Sequence, residues 1–271
     1  MHCPQCGEKH HRNGTTTYYH QMLGAVLVHP DHSEVFPLAP EPILKQDGAR
    51  KNDCERNAAK RLLADLRRAH PHLKLIVVED GLASNAPHIR QLQALDLRFI
   101  LGAKQNDHAD LFDWVAATPE TREVELTDAE GIRHRFRYLN GAPLNIANFD
   151  LEVNVLEDWE HTPGGKVTHF SWVTDFTLND SNLMLPMRGV RARWTVENET
   201  FNALENQGDH FEHDFGHGNN NLSTVLMHLM MLAFLIDQIQ QRGCRLFQAA
   251  LTAAQSKTRL WRKCALASTS A

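Results

Sequence analysis

The chain has 271 residues, 42% of them hydrophobic, with 28 Lys and Arg against 33 Asp and Glu and a formal net charge of −5. That length and apolar share suffice for one large domain, or one domain carrying an insertion. The charge excludes a uniformly basic nucleic-acid binder but not local basic patches, and five cysteines with no secretory leader ahead of them predict a reducing, cytoplasmic setting rather than a disulfide framework.

The first twenty residues form a polar segment rich in Cys and His. Tyr18 to Val28 reads as a strand, Pro30-Asp31-His32 as a turn, and Glu34-Val35-Phe36 as the returning strand of a hairpin. A Pro-rich connection, Pro37 to Pro42, leads to a helix from about Asp53 to Ala69, with Asn52 and Glu55 spaced as a capping box. Leu75-Ile76-Val77-Val78-Glu79-Asp80-Gly81 then reads as a strand buried on both faces and ending in acid. A helix from Ala86 to Leu95, a strand Arg98-Phe99-Ile100-Leu101 and a helix from near Asp110 complete an α/β block over residues 18–118.

From about 119 to 180 the pattern alternates, as in Glu123-Val124-Glu125-Leu126 and His134-Arg135-Phe136-Arg137-Tyr138. Turn pairs stand at Asn140-Gly141 and Gly164-Gly165, so this stretch is predicted as a β-rich insertion of antiparallel strands. Helices resume at about Ala192 and fill residues 181–240. The apolar run Leu222 to Ile236 reads as a buried helix, capped by Asn219-Asn220-Asn221 and too short to span a bilayer, so no membrane partner is expected. Residues 241–271 form a basic tail: after Asp237 there is no acid, but there are Arg242, Arg245, Lys257, Arg259, Arg262 and Lys263.

Three groups of residues carry chemistry. A carboxylate closing a buried strand, Asp80, sits where open α/β sheets place ligands. Glu79 competes for that role, but adjacent strand residues face opposite sides. Far downstream, Arg193-Trp194-Thr195-Val196-Glu197 puts a second acid on a helix, with Arg193 one turn before Glu197. A strand-end Asp and a helical Glu match a divalent-metal site for phosphodiester chemistry, because Mg²⁺ takes oxygen ligands. Cys3-x-x-Cys6 followed by His10 or His11 has zinc spacing, with His20 or Cys54 available as a further ligand. His210, His213 and His217 read as a polar loop or helix end rather than ligands.

The order of these motifs resembles the DDE transposases of bacterial insertion sequences, in the insertion-sequence-four branch. Tyr18-Tyr19-His20-Gln21-Met22-Leu23-Gly24-Ala25-Val26-Leu27-Val28 looks like the second strand of their RNase H-like domain, Val77-Val78-Glu79-Asp80-Gly81 like the fourth, and Arg193-Trp194-Thr195-Val196-Glu197-Asn198 like the helix of the last acid. The resemblance implies an RNase H-like mixed sheet flanked by helices, with the β-rich insertion between the second and third acidic positions. It implies Asp80 and Glu197 as ligands of Mg²⁺ (or Mn²⁺), Arg193 as a phosphate contact, and DNA as partner, both the element's ends and the target, with self-association on that DNA. The family's Tyr and Lys flanking the final helix are replaced here by Val190 and Leu204.

The family's first Asp belongs to a first strand ahead of the Cys/His segment, and this sequence starts inside that segment. The expectation is therefore a truncated transposase that lacks the first strand, with its competence to cut in question and the strand ending at Asp80 deprived of a neighbour. Two rival readings stand beside it: a non-catalytic DNA-binding or dimerising remnant, and a zinc-stabilised structural protein.

Overall fold

The computed structural model describes residues 3–45, 53–206, 211, 218 and 221–268, without the side chains of Ser33, Glu197, Asn198, Phe201, Asn206, Ala265, Ala267 and Ser268. Asn52, Asn219, Asn220, His210, His213 and His217 lie outside the described residues, so the capping box and the histidine cluster do too.

Six short strands open the chain: β1 (Gly7–His10), β2 (Thr16–Tyr19), β3 (Gln21–Leu23), β4 (Val26–His29), β5 (His32–Pro37) and β6 (Glu41–Ile43). They pair antiparallel as β1 with β2, β3 with β6 and β4 with β5. The single strand expected over Tyr18 to Val28 is thus three strands, each with its own partner. The α/β block follows the sequence closely: α1 (Glu55–Ala69), β7 (Ile76–Glu79), α2 (Ala86–Ala94), β8 (Arg98–Gly102) and α3 (Ala109–Ala117). Four long strands come next, β9 (Arg122–Thr127), β10 (Arg133–Pro143), β11 (Glu152–His161) and β12 (Val167–Thr174). The remaining elements are α4 (Met184–Arg191), α5 (Arg193–Thr195), a π-helical turn Val196–Phe201, α6 (Asn202–Asn206), α7 (Leu222–Gly243), α8 (Arg245–Ala254) and α9 (Lys257–Ser268).

The chain divides into two compact units, Met1–Leu62 with Ala192–Ala271, and Leu63–Arg191. The second unit is a mixed sheet flanked by helices. Its strand order is β7-β8-β12-β11-β10-β9, in which only β7 and β8 run parallel. The strands of the β-rich stretch therefore continue the sheet that begins at β7. Alternation along the strands divides two cores. Phe99, Leu101, Val153, Val155 and Val173 face α2 and α3 through Ile89, Leu92, Leu111 and Val115. Ile100, Phe136, Tyr138, Leu156 and Trp172 face α4 through Met187 and Val190, with Leu183 just ahead of that helix. The first unit has a smaller core of Val35, Ala203, Leu204, Met231 and Phe234.

Four sequence expectations are corrected. β7 is not buried on both faces: it ends the strand order with β8 as its one strand neighbour among the described residues, and Ile76 is 52% exposed. Asn140-Gly141 is no hairpin turn. It lies inside β10, where Gly141 has φ +72° and the register with β11 shifts between Leu139 and Ala142. A residue with positive φ serves a bulge as well as a turn, so the same dipeptide signals both. Helix resumes at Met184, not Ala192. Finally, α7 is not a buried helix: it is long and apolar enough to cross a membrane by length and composition, yet only 17% of its most apolar window is buried. Asn221 precedes it in a left-handed conformation, with no side-chain cap bond.

Charge is also buried within the sheet. Glu157 is 1% exposed and accepts hydrogen bonds from Arg137 at 2.6 Å and His169 at 3.1 Å. Burial alone would raise its pKa, but the His169 and Arg137 hydrogen bonds outweigh it and hold the carboxyl below its ordinary 4.5. A depressed folded pKa contributes stability above the unfolded value, and that contribution is lost as pH falls through the folded value. Denaturant titrations of Glu157→Gln should therefore show less loss of stability than the parent as pH drops below 4.5. Equal acid sensitivity would remove Glu157 from the explanation.

Candidate functional site

The chain turns sharply at Cys3-Pro4-Gln5-Cys6, where the Cys6 N–H donates to the Cys3 carbonyl at 3.2 Å. The Cys3 N–H in turn lies 3.3 Å from the Cys6 sulfur. The β1–β2 hairpin follows at once, and its register pairs Gly7 with Tyr19. One step outward, that register sets Cys6 across from His20. The outcome is a triangle of donors: Sγ to Sγ 3.5 Å, Cys3 Sγ to His20 Nε2 3.7 Å and Cys6 Sγ to His20 Nε2 3.5 Å. Both cysteines are buried, and His20 is half-buried.

This group can hold a metal ion. Two sulfurs and a nitrogen at these separations suit three corners of a tetrahedron whose metal–ligand bonds are about 2.0–2.3 Å. Burial pushes the Cys6 thiol above its ordinary pKa, opposed by the Cys3 backbone N–H. A bound cation would displace that proton, since thiolate rather than thiol is the ligand.

The sequence favoured His10 for this set, but the described group takes His20 instead. His10 is exposed, with Nδ1 2.9 Å from the Thr16 hydroxyl. Cys54 is also exposed. The signal that finds His20 is pairing: once Gly7–His10 and Thr16–Tyr19 are seen as a hairpin, the residue after the second strand must return to the cysteines.

At the other candidate site, Asp80 immediately follows β7. It is exposed, and its Oδ1 accepts the Leu82 N–H at 3.0 Å, making a local turn. Glu79 points elsewhere, 2.5 Å from Nε2 of the buried His88 on α2. Glu79 is thus engaged with a neighbouring helix, while Asp80 faces solvent.

The turn after Asp80 is braced from behind. Ser84 Oγ donates to the Gly81 carbonyl at 3.0 Å and lies 2.8 Å from His108 Nε2. Burial lowers the His108 pKa, with Asp107 opposing; since Ser84 spends its one hydrogen on Gly81, its contact with His108 calls for the tautomer protonated at Nε2. The β8 end comes very close. A Cβ on Gly102 would meet Gly81 N at 3.0 Å and Asp80 C at 3.2 Å, and the Lys104 stem lies over Gly81.

Glu197 lies on the π-helical turn and Arg193 on α5, both in the first unit, whereas Asp80 lies in the second. The Glu197 side chain is outside the described residues. Trp194, beside Arg193, is 45% exposed. Val190 and Leu204, where the resembled family has Tyr and Lys, are core residues. Among the described residues no trio of Cys, His, Asp or Glu donors includes Asp80; the one such trio is Cys3, Cys6 and His20.

No protein-family model matches the chain, and no curated protein sequence matches it.

Proposed function

We propose that the chain is a DNA transposase polypeptide of the DDE type, with an RNase H-like core, that binds the ends of its own insertion sequence and target DNA. The observation that carries this reading is the strand-end acid: Asp80 stands exposed at the carboxyl end of a parallel strand pair, while its neighbour Glu79 is bound to His88. That is where open sheets place reacting groups. Glu197 is the second acid of the motif, and Arg193 with the exposed Trp194 is the DNA-facing pair, one for phosphate and one for a base face. The Cys3, Cys6 and His20 trio takes zinc, which fastens the N-terminal turn to its hairpin.

A second reading is favoured by a specific observation. Asp80 belongs to no trio of metal-ligand donors among the described residues, and β7 is an edge of the sheet that they form. On that reading the chain binds element ends without cutting them and interferes with complete copies.

The experiment combines gel shift and nicking on the terminal DNA of the element that encodes the chain. Binding should weaken steeply as salt rises. Asp80→Asn should leave binding intact and lower Mg²⁺-dependent nicking by about 100-fold or more. Nicking that survives the substitution rejects Asp80, binding without nicking in the parent selects the second reading, and loss of binding rejects both.

A further inference from the structure

Helix α7 has two unlike sides. On one, Met231 and Phe234 are buried with Val35 of β5 and Leu204 of α6. Beside them the buried Gln238 side-chain oxygen accepts the Val35 N–H at 3.4 Å. The opposite side is Leu222, Val225, Leu229, Leu232, Ile236 and Ile239, and each of these is 38–53% exposed. At 3.6 residues per turn the six fall within an arc of about 100°, the width of a face that is ordinarily covered. The one acid of the helix, Asp237, lies outside that arc.

The segment after α7 gives the chemistry of the covering surface. Past Asp237 there is no acid, and Arg242, Arg245, Lys257, Arg259, Arg262 and Lys263 supply only positive charge. On α9, Arg259, Arg262 and Lys263 are exposed, as are Trp261 and Leu266, and on α8 Leu246 is 83% exposed. The Phe247 and Trp261 rings, 6.1 Å apart, join those two helices. Exposed apolar side chains set among cations alone match an anionic lipid surface, whose headgroups take the charges and whose acyl boundary takes the apolar groups. Trp favours that same boundary. A nucleic acid would meet the cations but leave the α7 row in water. Crossing the bilayer would strip Met231, Phe234 and Gln238 from their own core, so the helix is placed along the surface rather than through it.

We propose that the chain docks on anionic membranes, with the Leu222, Val225, Leu229, Leu232, Ile236 and Ile239 row of α7 resting at the acyl boundary and Arg259, Arg262 and Lys263 of α9 on the lipid phosphates. This replaces the sequence expectation of no membrane partner. Docking needs no DNA and stands or falls separately from the transposase reading.

Flotation of the full chain with vesicles of phosphatidylcholine and phosphatidylglycerol, against vesicles of phosphatidylcholine alone, tests it. Binding should be at least about 10-fold tighter to the anionic vesicles and lose most of that advantage in about 0.5 M salt. Arg262→Gln with Lys263→Gln should weaken anionic binding about 25-fold, at about fivefold per cation. Leu229→Glu with Leu232→Glu should weaken it at least about 100-fold and leave the circular dichroism spectrum unchanged, because both side chains are exposed. Leu229→Ala with Leu232→Ala, which keeps helix propensity, should weaken it about 10-fold and guards against a folding defect. A chain that floats with neither vesicle, or binding indifferent to both leucine pairs, overturns the proposal. So does attachment that resists alkaline carbonate, the mark of a crossing helix. Cations that engage duplex DNA but no vesicle, or a leucine-dependent dimer that binds no vesicle, overturn it as well.

Discussion

Cys6→Ser should bring bound zinc from about one ion per chain to near zero, measured by atomic emission after dialysis against a weak chelator. The size of the effect follows from the ligand set. Structural zinc in small peptides is bound by about 10–16 kcal/mol at neutral pH, and that binding energy is folding energy. Removing one thiolate from a site with three described ligands leaves a Cys and a His, a pair too weak to compete with buffer. The hairpin β1–β2 has four paired positions and little buried surface of its own. An isolated two-stranded hairpin is marginal in water, so amide exchange over residues 3–20 should become fast in the variant while Leu63–Arg191 keeps its protection. His10→Ala should change neither zinc content nor exchange. Zinc retained by Cys6→Ser, or lost by His10→Ala, would dismiss the trio.

A comparably large effect belongs to His134. This side chain is 0% exposed and lies between Asp158, at 2.9 Å from Nδ1, and Asp128, at 3.3 Å from Nε2, with its ring stacked on Phe136. Asp158 is also fully buried, and burial raises its pKa against the pull of His134. His134→Ala leaves that carboxyl without its imidazole, a change that costs about 3–5 kcal/mol from a total of about 5–15. Asp128 suffers less, because it also accepts the Ile132 and Glu130 N–H groups. The double variant His134→Leu with Asp158→Leu should recover most of the loss, since a buried polar pair and an apolar pair of similar volume are close in energy. Equal destabilisation of single and double variants in urea would show that the ring's packing, not its charge partner, carries the effect.

The α/β block was legible because its elements are short, strongly patterned and bounded by turn residues. β8 begins at the expected Arg98, and α2 starts at the expected Ala86 behind an Asn85 side-chain cap. What stayed hidden depends on pairing between distant residues. Tyr18 to Val28 has the composition of one strand, but its three parts pair with β1, β6 and β5, and nothing local announces that division. His20 was a spare candidate for the same reason: spacing along the chain favours His10, whereas the hairpin register favours His20. In α7 the apolar run was read as a count of residues, which predicts burial. The interval between them is more informative, because one row is buried and the other is not.

Gly102 has a consequence for the acid on the neighbouring strand. Backbone meets backbone there, closely enough that even a methyl group would have to displace the Asp80–Gly81 peptide by a few tenths of an ångström. The path of the backbone at Asp80–Gly81 thus depends on what β8 lacks as well as on what β7 contains. A side chain gained at position 102 would shift that turn while every acidic residue in the chain stayed unchanged.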